Sequence, residues 1–147
     1  MYGLILLLHV FGAVIWAGGH IVLSVMILPE VMREKSPEKL LAFESKFEKI
    51  GMPALIVQIV TGVLLAKNLL PSFSQWLDFS NPLTHVVAAK LLLLALTLAL
   101  AADAKLRVLP NFNAARLNDM AWHIIPVTLL SVLLIVAGVS FRTGWFY

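Results

Sequence analysis

The sequence predicts an all-α membrane protein, folded as a four-transmembrane-helix up-down-up-down bundle in a single domain over residues 1–147. Three observations predict it. The chain is 61% hydrophobic and 13% charged, whereas soluble domains carry about 25% charged residues. Its apolar residues fall into four long runs. The connections between those runs are short and carry most of the charge. A soluble globule of this size would have to cover itself with polar groups; lipid as solvent removes that demand.

The first helix is expected over about residues 2–32. Tyr2 to Pro29 contains no Asp, Glu, Lys or Arg, and no basic segment precedes it. It therefore reads as a retained helix and not as a cleaved signal peptide. The second helix, about 40–70, is built on the uncharged run Ile50–Ala66 between Lys49 and Lys67. That run is short for a bilayer core, which takes about 20 helical residues, so it borrows amphipathic turns at both ends. The third, about 82–108, contains Leu83–Ala102, apolar except for His85 and Lys90. The fourth, about 119–142, contains the uncharged run Met120–Phe141. Helices are the expected spanning form, because backbone groups in lipid must be satisfied within the segment. Short loops favour antiparallel neighbours.

The net charge of +3 does not point to nucleic acid, because the basic residues flank apolar runs. Arg33, Lys35, Lys39, Lys46, Lys49, Lys105, Arg107 and Arg116 belong to one side of the predicted bundle, and Lys67 and Arg142 to the other. The basic side is expected to be cytoplasmic, with both termini outside a bacterial inner membrane. Tyr2, Trp76, Trp145 and Tyr147 fall at the outer boundary and Trp122 at the inner one, as aromatic belts do. The chain has no cysteine, which excludes disulfides and thiolate metal sites. No phosphate-binding loop, intramembrane carboxylate pair or Ser-His-Asp pattern is present.

The four histidines, His9, His20, His85 and His123, all lie in or at the ends of the apolar runs. Intramembrane ionisable residues are costly and usually mark a site. His9 and His20 are about 20° apart around a helix and about 16 Å apart along it. Gly12, Ala13, Trp16 and Gly19 lie on or near the same stripe. Close packing through the small residues explains such a stripe without a ligand, but the placement of every histidine in the membrane favours a cofactor. By depth, His9 pairs with His85 and His20 with His123, and two facing imidazoles form an axial pair for haem b. Lys90 is the other expected partner of His9, as a haem ligand or a propionate counter-charge; snorkelling is its structural alternative. Asp103 is expected among the headgroups near Lys105 and Arg107. Copper is the rival cofactor, since Cu(I) takes imidazole and thioether, here from the histidines with Met26 and Met120. Gln58, Thr61, Gly62, Thr128 and Ser131 are expected to bond or pack between helices, and Pro53 and Pro126 to kink theirs.

The segment Leu8-His9-Val10-Phe11-Gly12-Ala13-Val14-Ile15-Trp16-Ala17-Gly18-Gly19 resembles the copper resistance protein D family, as do Phe43-Glu44-Ser45-Lys46-Phe47 and Thr61-Gly62. His9 with Lys90 is also similar to the histidine and lysine of HemJ-type protoporphyrinogen oxidases, which are small four-helix haem b proteins. Together these imply a membrane protein that binds one or two haem b groups and transfers electrons across or within the bilayer. A quinone or a redox protein would be its partner, and a homo-oligomer is a possible assembly. Copper transport, porphyrin oxidation and a purely structural bundle are the alternatives. The expected cofactor residues are His9, His20, His85, His123, Lys90 and Trp16, with the four histidines as metal ligands.

Overall fold

A computed structural model of the chain describes residues 1–145. Tyr147, one of the expected boundary aromatics, lies outside the described residues. Four helices are long and apolar enough to cross a membrane: α1 (Tyr2–Glu34), α2 (Pro37–Leu69), α3 (Pro82–Asn111) and α4 (Ala114–Thr143). Among the described residues there is no strand.

Local chemistry sets the ends. α1 stops where Lys35 turns left-handed at φ 51°, and Pro37 starts α2 at a position that needs no amide donor. The Asn81 side chain accepts a bond from the Leu83 amide, and Pro82 opens α3. α4 ends at Gly144, whose φ of 66° suits a residue without Cβ. Thr84 Oγ1 donates to the Gln75 carbonyl at 2.8 Å, tying the loop before α3 to that helix. Two helices carry a π-helical segment, Leu23–Ile27 in α1 and Ala104–Val108 in α3. Such segments insert a residue into the helical ladder. Pro53 and Pro126 lie inside α2 and α4.

Helix contacts follow small residues. Cβ atoms at Gly12 and Gly19 of α1 would meet Ala54 and Gln58, and the Phe47 ring, of α2. The pairs 9 with 61 and 19 with 47 show rising numbers on α1 meeting falling numbers on α2. The same holds for α3 and α4, where Lys90 lies near Gly138 and Asp103 near His123. Leu23, Leu28 and Val31 of α1 join Leu40, Val108, Leu117, Met120 and Ile124 in one core cluster. Trp16, Leu55 and Val127 form a second, with Ile59, Leu94 and Leu100 packed against it.

The outer surface is apolar. Phe11 is 58% exposed, Val14 and Leu92 61% each and Leu129 59%. Apolar surface on every helix suits a lipid environment and would drive association in water. Charged pairs gather at one end: Lys39 with Glu30 and Glu34, Lys105 with Glu48, Arg107 with Asp103, and Arg116 with Asp119. That end is the basic end expected from the sequence. As exposed pairs, these bridges mark where the helices leave lipid more than they stabilise the fold.

Candidate functional site

His9 lies on the α1 face that meets α2. Thr61 Oγ1 donates to the Val57 carbonyl at 2.5 Å, one turn back in its own helix. Its single proton is thereby used, so the 2.9 Å contact with His9 Nδ1 is one in which Nδ1–H donates. His9 is then the tautomer whose Nε2 carries the lone pair. Gln58 Nε2 donates to the His9 backbone carbonyl at 2.7 Å and fixes the helix register around the ring. A Cβ at Gly62 would stand 3.2 Å from the imidazole Cε1, so glycine there gives the ring its place against α2.

His20 reaches the same state by a different route. Its Nδ1 lies 2.8 Å from the Trp16 carbonyl. A carbonyl only accepts, so Nδ1 again carries the proton and Nε2 the lone pair. The ring packs against Trp16, centroids 4.4 Å apart, and meets Phe47 edge-on at 5.4 Å. Gly19 admits Phe47, because any Cβ there would overlap its ring. Thr128 Oγ1 lies 3.1 Å from the His20 carbonyl and 2.8 Å from that of Ile124, which links α4 to this turn of α1. A histidine whose Nδ1–H is bonded and whose Nε2 is open has the form of a metal-ligating imidazole.

His123 differs. Its Nδ1 lies 2.7 Å from the Asp119 carbonyl and its Nε2 2.8 Å from Asp103 Oδ2. Both partners are acceptors, so both ring nitrogens act as donors, and no lone pair remains for a metal. The expected pairing of His20 with His123 would require this bond to Asp103 to break. Asp103 also accepts from Arg107 at 2.9 Å, so it sits with Arg107 as expected but serves His123 as well. His85 is exposed and stacks on Phe79 at 5.8 Å.

Lys90 is half-buried. Its ammonium stands 5.8 Å from the centre of the Phe141 ring and would lie 3.4 Å from a Cβ at Gly138. It lies within electrostatic reach of His9. Trp16 is 8% exposed, and its Nε1–H has no hydrogen-bond partner among the described residues. Met120 is buried in the same cluster as Leu23, whereas Met26, the other thioether of the copper alternative, is 65% exposed. Among the described residues, no three His, Cys, Asp or Glu side chains could hold one metal ion together. The interhelical bonds expected of Gln58, Thr61 and Thr128 are in place, while Ser131 bonds within its own helix, to the Val127 carbonyl.

Phe47 and the Asp103–His123 pair were not foreseen. Phe43 and Phe47 are four residues apart and face one way, stacked at 5.8 Å. That spacing, opposite Gly19, is the signal that could have placed an aromatic wall beside His20.

A family model described as copper resistance protein D matches residues 41–141. No curated protein and no solved structure matches the chain.

Proposed function

Because this chain belongs to the copper resistance protein D family, we infer that it is a multi-pass membrane protein that handles copper ions, with His9 and His20 as the ligands that receive them. One observation carries this reading: both imidazoles commit Nδ1–H to an oxygen and leave the Nε2 lone pair open. Cu(I) takes neutral imidazole and thioether. The two lone pairs stand on one stripe of α1, about 16 Å apart along the axis. Trp16 lies between them and offers its ring to a cation. Met120 supplies a thioether beyond the level of His20, within the core cluster at the basic end. Single-ligand steps hold an ion weakly enough to pass it on, as conduction requires. The bundle would sit as one domain in a bacterial cytoplasmic membrane, with the basic end inside and both termini outside.

The experiment is copper uptake by proteoliposomes. The parent protein is expected to load vesicles with Cu(I), and the His9→Ala and His20→Ala variants to lose most of that activity. Equal uptake by parent and variants would remove the reading.

A second reading keeps His9 and replaces copper with haem b and electron transfer to a quinone or redox protein. The Lys90 charge near His9 favours it, as a counter-charge for a propionate. The fit is poor elsewhere. His123 has both nitrogens bonded, His85 is exposed beside Phe79, and Trp16 and Phe47 cover the His20 ring. No opposing imidazole therefore stands ready for either ligand. A reducible Soret band in the purified protein would support this reading, and porphyrin turnover would identify an oxidase.

A further inference from the structure

Where α3 ends and α4 begins, charge meets exposed apolar surface. Asp103 and Arg107 of α3 and Arg116, Asp119, Trp122 and His123 of α4 line one open cleft of about 240 Å³ at the basic end. Its acceptors are nearly all in use. Asp103 Oδ1 accepts from Arg107 Nη1 at 2.9 Å and Oδ2 from His123 Nε2 at 2.8 Å. Arg116 Nε donates to Asp119 Oδ2 at 3.1 Å, and its Nη1 to the Arg107 carbonyl at 2.9 Å, which staples the start of α4 to the end of α3. Among the described residues, Asp119 Oδ1 is the only carboxylate oxygen of the cleft without a bond. The donors without one are more numerous: Nε and Nη2 of Arg107, Nη2 of Arg116 and the Trp122 indole N–H.

Charge points the same way. Arg107, Arg116 and a His123 that donates from both nitrogens carry three positive charges against the two negative ones of Asp103 and Asp119, which leaves one positive charge unbalanced. The surroundings choose the kind of anion. The cleft opens on the outside of the bundle, where the helices leave lipid. Trp122 is 77% exposed, and Leu106, beside Arg107, 75%. Trp122, Ile125 and Leu129 are exposed at helical spacing, so one apolar stripe of α4 runs from the cleft into the bilayer. A soluble phosphate would satisfy the arginines and leave that stripe unused. A phospholipid satisfies both, because its headgroup and acyl chain are joined at the depth where tryptophan sits.

We propose that this cleft holds the phosphodiester headgroup of one anionic phospholipid, gripped by the open N–H groups of Arg107 and Arg116, with an acyl chain along Trp122, Ile125 and Leu129. The planar guanidinium of Arg107 presents two parallel N–H groups to two phosphate oxygens. A headgroup with one net negative charge balances the cleft, and a zwitterionic one does not. Basic clefts between helices on the cytoplasmic side are suited to such lipids. His9 and His20 take no part in this cleft, so the lipid site and the copper reading stand or fall separately.

Native mass spectrometry of the delipidated full chain in non-ionic detergent, offered phosphatidylglycerol and phosphatidylcholine with the same acyl chains, tests it. One phosphatidylglycerol per chain should bind about tenfold more tightly than phosphatidylcholine, the scale of a hydrogen bond to a charged group. Arg107→Gln should abolish that preference. Arg107→Lys should keep part of it, since it restores the charge without the fork. Trp122→Ala should weaken both lipids. Arg33→Gln removes a charge from the same end outside the cleft and should leave the preference intact. If Arg107→Gln fails to fold, Arg107→Lys decides: a preference below the parent's supports the site, and one equal to it overturns it. No preference in the parent, or an equal fall in Arg33→Gln and Arg107→Gln, overturns the proposal. Displacement of the lipid by an equal concentration of inorganic phosphate overturns it too, and assigns the cleft to a soluble anion.

Discussion

His20 and His123 carry the same side chain, and their levels in the bundle differ by about a turn and a half, since the His20 carbonyl bonds Thr128, five residues along α4 from His123. Their surroundings put them to opposite uses. His20 gives one proton to a backbone carbonyl and keeps a lone pair among aromatic rings. His123 gives protons to a carbonyl and a carboxylate and keeps none. The acceptors within reach, and not the residue type, decide which histidine can meet a metal. His9 falls on the His20 side of that division, through the Thr61 hydroxyl.

Four changes break or sharpen the comparison. The largest effect is expected from His9→Ala combined with His20→Ala, which should bring copper uptake by proteoliposomes down to the level of protein-free vesicles. Next is Thr61→Val, which removes the oxygen that fixes the His9 tautomer while leaving the imidazole. Copper affinity should fall by about 10–100-fold, the usual cost of losing such a partner, and Thr61→Ser should restore it; a competition titration against a Cu(I) chelator reads both. Gly19→Ala should destabilise the bundle by about 1–3 kcal/mol through overlap with Phe47. Gly18→Ala, which meets open space, should instead be neutral or mildly stabilising, because alanine holds a helix better than glycine. Thermal unfolding in detergent compares the two. The smallest effect is expected from His123→Gln, which should leave copper uptake unchanged. A loss there as large as that of His20→Ala would erase the distinction between the two histidines.

The spans were legible because hydropathy and backbone satisfaction in lipid act over some twenty residues at a time. The sequence places them at about 2–32, 40–70, 82–108 and 119–142; the structure extends each of the four by two to five residues at one end. His9 and His20 were legible as one stripe because helical periodicity relates residues within one helix. Relations between helices were not. The depth argument set His123 opposite His20, but depth does not fix rotation, and α4 turns His123 toward Asp103. The π-helical segments at Leu23–Ile27 and Ala104–Val108 have no compositional mark, since each is one residue's worth of extra helix and the two share no residue pattern, one holding Ser24 and Met26 and the other Lys105 and Arg107. The role of Phe47 depends on Gly19, which lies on another helix, and no local pattern joins them.

Cu(I) is diamagnetic, so the side-chain nitrogens of all four histidines can be followed by 15N NMR as the ion is added to the purified protein. The account predicts that the metal-free protein shows His9 and His20 with Nδ1 protonated and Nε2 bare, and that Cu(I) shifts those two Nε2 signals while both nitrogens of His123 stay protonated and unmoved. Cu(I)-dependent shifts at His123 or His85, with His9 and His20 unchanged, would contradict it.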